Sequence, residues 1–126
     1  MTIVLDASAV LALLLDEPGA ERVLEVLDGS GLSVISLAEV LSKLSDRGVT
    51  TDDLPRHLTS AGVRFQAVTE ADAVEVARLR SIDAKHVLSL GDRFCLALAR
   101  RLGLPVLTGD RVWAETEYGV DVVLLR

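Results

Sequence analysis

The chain has 126 residues, 50% of them hydrophobic and 25% charged, which is the size and balance of one globular domain over residues 1–126. The net charge of −6 argues against nucleic-acid binding through simple phosphate attraction, unless several of the 19 acidic residues belong to one metal site. The single Cys95 and the lack of any Cys/His cluster exclude a disulfide framework and a structural zinc site, so we expect a reducing, cytoplasmic environment.

Short apolar runs alternate with helical patterns from the first residues onward. Thr2 to Leu5 is a β-branched apolar run, which predicts a strand in a parallel sheet covered on both faces. Ser8 to Leu15 predicts a short buried helix, and apolar residues at helical spacing from Ala20 to Leu27 predict a second one. The longest apolar run lies between Asp6 and Asp16 and is far shorter than 18 residues, so we expect no membrane span.

The middle of the chain continues the alternation. Leu32 to Ile35 predicts the second strand, and Ser36 is expected to open a helix that runs to about Gly48. Thr51 is expected to cap a short helix that begins near Asp52 and ends at Gly62.

Two further helices are predicted on clear terminal signals. Val63 to Val68 predicts a strand, and Thr69 is expected to cap a helix that runs to about Ile82. Gly91 to Leu102 has an apolar helical stripe, and Gly103 is the expected stop.

The last quarter completes the pattern. Pro105 to Leu107 predicts a strand, Arg111 to about Glu117 a short helical segment, and Val120 to Leu124 the final strand. Strands separated by helical stretches of this length require right-handed crossovers. The predicted fold is therefore a three-layer α/β/α sandwich with a central parallel sheet.

Four acidic residues fall where strands end or crossover helices begin: Asp6, Glu39, Asp92 and Asp110. Ligand sites of open parallel sheets lie beyond the carboxyl ends of the strands, so these four side chains are expected to converge. Two ionised carboxylates at 4 Å repel by ~4 kcal/mol at an effective dielectric constant near 20, so such a cluster requires cations. Oxygen ligands select Mg²⁺ or Mn²⁺.

Each of these acids also has a purely structural interpretation. The pattern Ser36-x-x-Glu39 matches a capping box, in which Glu39 bonds the Ser36 amide. Asp92 suits a helix dipole, Asp110 suits an N-cap, and Asp6 suits a turn. Taken singly the structural roles are favoured, and only the convergence of all four favours a metal site.

Other polar and aromatic side chains are weaker candidates. Ser8 and Thr108 lie two residues from two of the acids, and could bond a carboxylate or serve as turn hydroxyls. Trp113 could stack on a base, but packing beneath the site is favoured.

The usual catalytic nucleophiles and bases are poorly placed in this sequence. His57 and His86 are far apart without ligand-like spacing, so we interpret both as surface residues. Cys95 lies within an apolar stripe and is favoured as a small core residue over a nucleophile.

Four motifs together resemble the PIN-domain family and, within it, the VapC-type toxins of toxin-antitoxin modules. They are Val4-Leu5-Asp6-Ala7-Ser8-Ala9, Ser36-Leu37-Ala38-Glu39-Val40, Leu90-Gly91-Asp92 and Leu107-Thr108-Gly109-Asp110-Arg111-Val112-Trp113. The resemblance covers essentially the whole chain. It implies a metal-dependent endoribonuclease that uses Mg²⁺ or Mn²⁺ to cleave RNA.

The resemblance also implies roles for particular residues. The family's acidic quartet matches Asp6, Glu39, Asp92 and Asp110, and its supporting hydroxyl matches Thr108, with Ser8 as a second candidate. It further implies a homodimer, inhibited by a cognate antitoxin whose C-terminal segment lies in an apolar groove. Whether Glu115 or Glu117 assists the metal site is left open.

Two arginines are candidate RNA contacts. Arg93 and Arg111 adjoin Asp92 and Asp110, where a guanidinium could bind phosphate, and ordinary solvated arginine is the alternative.

Three other functions are alternatives to the nuclease. A receiver domain requires an acidic pair after the first strand, and a dehalogenase-like phosphatase requires Asp-x-Asp, whereas Asp6 stands alone and is followed two residues later by Ser8. A catalytically silent PIN-like binding module remains the alternative.

Overall fold

A five-stranded parallel sheet organises the fold. The computed structural model describes residues 1–126. The strands are β1 (Val4–Leu5), β2 (Gly31–Ser33), β3 (Arg64–Gln66), β4 (Val106–Thr108) and β5 (Val122–Leu124). Their order across the sheet is β3-β2-β1-β4-β5, and every neighbouring pair is parallel.

Six α-helices connect or flank the strands. They are α1 (Ala7–Leu14), α2 (Ala20–Val26), α3 (Val34–Asp46), α4 (Leu54–Ser60), α5 (Glu70–Ile82) and α6 (Leu90–Leu102). A 3₁₀ turn follows β4 at Arg111–Ala114. None of the helices is long and apolar enough to cross a membrane.

Two hydrophobic clusters cover the two faces of the sheet. Successive residues of a strand point to opposite faces, so Leu5 and Leu107 join the cluster formed with α1 to α4. Val4 and Val106 join the cluster formed with α5 and α6. The sheet is thus buried on both sides, and the predicted three-layer sandwich is confirmed.

The strand order reverses between β1 and β4. The chain builds outward from β1 through β2 to β3, then crosses back to place β4 on the other side of β1. A crevice forms at such a switch point, because the loops after the two central strands run in opposite directions. Asp6 directly follows β1 and Asp110 follows β4, so both lie at this crevice.

Strong local signals gave correct helix ends. Thr69 is the N-cap of α5, and its hydroxyl accepts a hydrogen bond from the amide of Asp72 at 3.1 Å. Gly103 adopts a left-handed conformation with φ of 67° and ends α6. Both termini were predicted because their chemistry is local.

Several predicted boundaries are wrong, and two of them concern the starts of helices. Val34 and Ile35 were assigned to the second strand, but Ser33 ends that strand and caps α3, with its hydroxyl accepting from the Ile35 amide at 3.1 Å. The cap of α4 is Asp53 and not Thr51. In the first case the cap outweighs the β propensity of two branched residues.

Candidate active site at the switch point

The four predicted acids come from four different elements of the fold. Asp6 caps α1 directly after β1, and Asp110 caps the 3₁₀ turn after β4. Asp92 is the third residue of α6, and Glu39 lies in the second turn of α3. The four are coupled electrostatically, because charge on Asp6 and Asp92 acts on Glu39, and charge on Asp6 and Asp110 acts on Asp92.

Asp6 is the buried centre of a hydrogen-bond network. Its Oδ2 accepts from the hydroxyls of Ser8 at 2.6 Å and Thr108 at 2.9 Å. Those hydroxyl oxygens in turn accept from the amides of Gly109 at 2.9 Å and Asp110 at 3.0 Å. Each hydroxyl has one hydrogen and gives it to Asp6, so the network fixes the carboxylate against the β4 loop.

The Asp6 carboxyl is harder to ionise than a free aspartic acid. Burial raises its pKa, and the hydrogen bonds from Ser8 and Thr108 only partly offset that effect. Only 4% of the residue is exposed. A buried carboxylate that holds its charge here gains strongly from a neighbouring cation.

Glu39 has a buried oxygen without a partner. Its Oε1 accepts no hydrogen bond from any group in the protein. Burial first, and then the charges of Asp6 and Asp92, raise its pKa, while Lys43 opposes them. Unpaired buried oxygens are rare in native proteins, which points to a partner outside the chain.

Gly91 makes room for the Glu39 carboxylate. A Cβ atom at position 91 would collide with Oε1 and with the carboxyl carbon of Glu39. No other residue type fits the second position of α6 without displacing that side chain. The sequence motif contained this glycine but did not reveal its role, because the contact joins two helices distant in sequence.

Asp92 combines a structural role with a place in the cluster. Its Oδ2 accepts from the Ser89 amide at 2.9 Å, and the Ser89 hydroxyl accepts from the Asp92 amide at 3.1 Å, which completes a capping box. Burial and the charges of Asp6 and Asp110 nevertheless raise its pKa above the ordinary value, against the lowering by Ser89. The capping bond occupies Oδ2 alone.

The capping box that the sequence pattern allowed for Glu39 is absent. Ser33, and not Ser36, caps α3, and Ser36 is buried with a hydroxyl that has no hydrogen-bond partner. Glu39 is therefore free of the structural role that its sequence pattern indicated. The N-cap role of Asp110 does occur, since its Oδ1 accepts from the Val112 amide at 3.2 Å.

The residues at this edge fit a hard divalent cation. No group of three or more acidic, histidine or cysteine side chains is close enough together to hold an ion. The four carboxylates act on one another through their charges without forming a closed ion-binding group. The buried unpaired oxygen of Glu39, the space left by Gly91 and the all-oxygen donor set suit Mg²⁺ or Mn²⁺.

The two predicted RNA-contacting arginines are both engaged by backbone. Arg93 donates from Nη1 to the Val76 carbonyl oxygen on α5 at 3.1 Å, and its Nε is buried. Arg111 is exposed and donates to the Arg126 carbonyl oxygen at 2.7 Å. Arg111 thus lies at the surface beside the crevice, whereas Arg93 contributes to the packing of α6 on α5.

The weaker candidates from the sequence divide into buried core residues and exposed surface residues. Cys95 is fully buried, and burial together with the nearby acids raises the pKa of its thiol, so it is a core residue. Trp113 is also fully buried and packs in the second cluster. His57 and His86 are exposed. Glu115 and Glu117 are exposed as well, and Glu117 bonds the amide of Gly119 at 2.7 Å.

Arg126 reaches this edge without any signal in the sequence. A Cβ atom at Gly109 would lie 3.3 Å from its Nη2 and 3.5 Å from the Ser8 hydroxyl oxygen. Its guanidinium therefore borders the β4 loop and the Ser8 side of the crevice. Only the pairing of β5 with β4 brings this residue near the acids.

Comparisons with known proteins agree on one family. The model described as PIN domain matches residues 3–117. A ribonuclease VapC of Mycolicibacterium smegmatis is 32% identical over 123 residues, which are 90% of this chain and 95% of that protein.

Solved structures share the fold over nearly the whole chain. A toxin-antitoxin complex from Klebsiella pneumoniae contains a chain that superposes with a TM-score of 0.78 at 20% identity, covering 99% of this chain and 98% of that one. FitAcB from Neisseria gonorrhoeae gives a TM-score of 0.74 at 23% identity, with 96% of each chain covered.

Proposed function

This chain belongs to the PIN domain family, and on that premise we propose that it is a metal-dependent endoribonuclease, the toxin of a toxin-antitoxin pair. The supporting observation is the buried Glu39 Oε1, which has no protein partner, lies in the space left by Gly91, and is acted on by the charges of Asp6 and Asp92. The chain's relative in Mycolicibacterium smegmatis carries the name ribonuclease.

The proposed metal ligands are Asp6, Glu39, Asp92 and Asp110. A bound Mg²⁺ or Mn²⁺ would supply activation of water and neutralisation of charge on the phosphodiester. The Ser8 and Thr108 hydroxyls hold Asp6 in one orientation through its Oδ2. The thiol of Cys95 is buried, so water, and not this side chain, is the proposed nucleophile.

The toxin role adds a protein partner to the proposal. One of the structural relatives was solved as a toxin-antitoxin complex. An apolar cleft of about 390 Å³ lies between α1, α3 and α4 and is lined by Leu14, Leu15, Leu44, Val49 and Leu54, among others. We propose that this cleft receives an apolar segment of the antitoxin, and that the chain acts in the cytoplasm as a homodimer.

RNA cleavage by the purified protein tests the function. We expect cleavage of single-stranded RNA in Mg²⁺ or Mn²⁺, loss of cleavage in EDTA, and recovery when metal is added back. Asp6→Asn should abolish cleavage, because it removes ligand charge with little change in volume. The matched control is Asp121→Asn, since Asp121 is exposed and its side chain forms no hydrogen bond or ion pair.

Three results would contradict the proposal in different ways. Cleavage that persists in EDTA would remove the metal from the reaction. An Asp6→Asn protein that cleaves like the wild type would remove Asp6 from the site. RNA binding without any cleavage in either metal would favour the catalytically silent PIN-like module.

A further inference from the structure

A second cleft, which we call the cationic cleft, opens beside the acid cluster. Its volume is about 250 Å³, and its polar lining includes Ser8, Glu17, Lys43, Arg47 and Arg126. It is thus lined by three cations and one acid in a protein with a net charge of −6. Such a concentration of positive charge attracts an anion.

The three cations have no carboxylate partner. The four ion pairs of the protein involve other residues, at Arg56, Arg78, Arg100 and Arg101. The only side-chain hydrogen bond from the three is donated by Arg126 to the Pro18 carbonyl oxygen at 2.7 Å. Lys43 acts on the Glu39 carboxylate only from beyond ion-pair distance, so none of the three charges is held in an ion pair.

The cationic cleft is continuous with the acid cluster. Lys43 and Arg47 follow Glu39 at intervals of four residues, so they continue its row along α3. Ser8 lines the cleft and also donates to Asp6. Arg126 approaches Gly109, the residue that precedes Asp110.

We propose that the cationic cleft binds the RNA backbone phosphate next to the scissile phosphate, through Lys43, Arg47 and Arg126. The inference rests on the ribonuclease function proposed above. A cleft of about 250 Å³ is smaller than the roughly 300–1,000 Å³ of typical ligand sites, so it suits a phosphate group better than a whole nucleotide. Lysine and arginine are the usual phosphate contacts.

Binding of a fluorescent oligouridylate in EDTA, over a range of salt concentrations, tests the cleft apart from catalysis. Lys43→Gln and Arg126→Gln should each weaken binding about tenfold, the effect of one charge-assisted hydrogen bond. Each should also reduce the slope of log K against log salt by ~0.7, as expected for one lost phosphate contact on a single strand. Lys43→Arg should restore both quantities.

Arg80→Gln is the matched control, because Arg80 is exposed on α5, forms no side-chain hydrogen bond, and lies outside the cleft. It should leave the affinity and the slope unchanged. In Mg²⁺, Lys43→Gln should raise KM for cleavage, since the lost contact is to the neighbouring phosphate of the bound RNA.

Two outcomes would overturn the cleft assignment. One is a wild-type salt slope in both the Lys43→Gln and Arg126→Gln proteins. The other concerns polyglutamate as a second ligand. If the Lys43→Gln and Arg126→Gln proteins bind polyglutamate more weakly than the wild type but bind the oligouridylate equally well, the cleft is assigned to an acidic protein segment. Wild-type protein that binds the oligouridylate but does not cleave RNA would instead overturn the ribonuclease function, and the salt slopes would still decide the cleft.

Discussion

Asp72 and Asp92 occupy the same local structure and face opposite surroundings. Each is the third residue of a helix and completes a capping box, Asp72 with Thr69 on α5 and Asp92 with Ser89 on α6. Asp72 also accepts two hydrogen bonds from the Arg101 guanidinium, at 2.9 and 3.2 Å. Asp92 has no cation partner and lies near Asp6 and Asp110.

The two carboxyl groups therefore ionise differently. Burial opposes the charge on Asp72, but the bonds from Arg101 and the Thr69 amide outweigh it and lower the pKa. Burial also opposes the charge on Asp92, and there the nearby acids add to it, so the pKa is raised despite the bond from Ser89. The fold stabilises one charge and penalises the other.

This difference separates a structural acid from a candidate functional one. A capping box explains why an aspartate occupies the third position of a helix. It does not explain why Asp92, unlike Asp72, has no cationic side chain beside it. A group held at a cost to the folded protein is a candidate functional residue. Asp92 meets that condition and Asp72 does not.

The largest effect expected is on RNA cleavage. Asp92→Asn should reduce cleavage by more than about 100-fold, because it removes a proposed metal ligand. Loss of a residue that only hydrogen-bonds a metal ligand already costs about 10–100-fold, so loss of a ligand should cost more. Asp72→Asn makes the same chemical change in the same motif and should cleave like the wild type below its melting temperature. Rates measured side by side in Mg²⁺ test this, and equal losses in both variants would make Asp92 a structural acid only.

Local chemistry made much of the fold predictable. Thr69 and Gly103 were recognised because a cap and a left-handed stop depend on adjacent residues. The end of β2 was misplaced, because Val34 and Ile35 favour strands by composition while the Ser33 cap commits them to α3. Positions at strand ends and near the starts of crossover helices indicated the four candidate acids, since both kinds of position meet at one edge of a parallel sheet.

Contacts between elements that are distant in sequence could not be predicted from the sequence. The fit of Glu39 against Gly91 joins α3 to α6 and has no local signature. Arg126 enters the site region only through the pairing of β5 with β4. The sequence pattern also allowed a capping box for Glu39, because a match to Ser36-x-x-Glu39 does not show where the helix begins.

The next effect in size is metal-dependent stability. A cation that binds only the folded protein adds RT ln(1 + [L]/Kd), which is ~2.7 kcal/mol at a hundredfold excess over Kd. For a chain of this length, Mn²⁺ should therefore raise the Tm of wild type and Asp72→Asn by roughly 10 °C. Asp92→Asn should gain much less. Thermal melts over a Mn²⁺ titration at constant ionic strength measure this, and an equal gain in Asp92→Asn would exclude Asp92 from the metal site.

The smallest expected effect is on stability in EDTA. The free energies of unfolding of Asp72→Asn and Asp92→Asn, each relative to the wild type, should depend on pH in opposite directions. A carboxyl group whose pKa is lowered in the folded protein stabilises it above the unfolded pKa, and this contribution is lost as pH falls. The stability deficit of Asp72→Asn should therefore be largest at neutral pH and shrink in acid. A raised folded pKa favours the folded state at low pH, and this contribution is lost as pH rises. Asp92→Asn avoids that loss, so its advantage over wild type should grow toward neutral pH.

Urea unfolding of the three proteins between about pH 4 and about pH 7.5 measures both differences, each expected on the order of 1 kcal/mol at neutral pH, the size of one capped carboxylate. Cleavage is not involved, so the measurement tests the electrostatics of the two capping boxes directly. Curves that move in the same direction with pH would show that burial and the charges of Asp6 and Asp110 do not raise the pKa of Asp92 in solution. The distinction between the structural and the functional acid would then rest on catalysis alone.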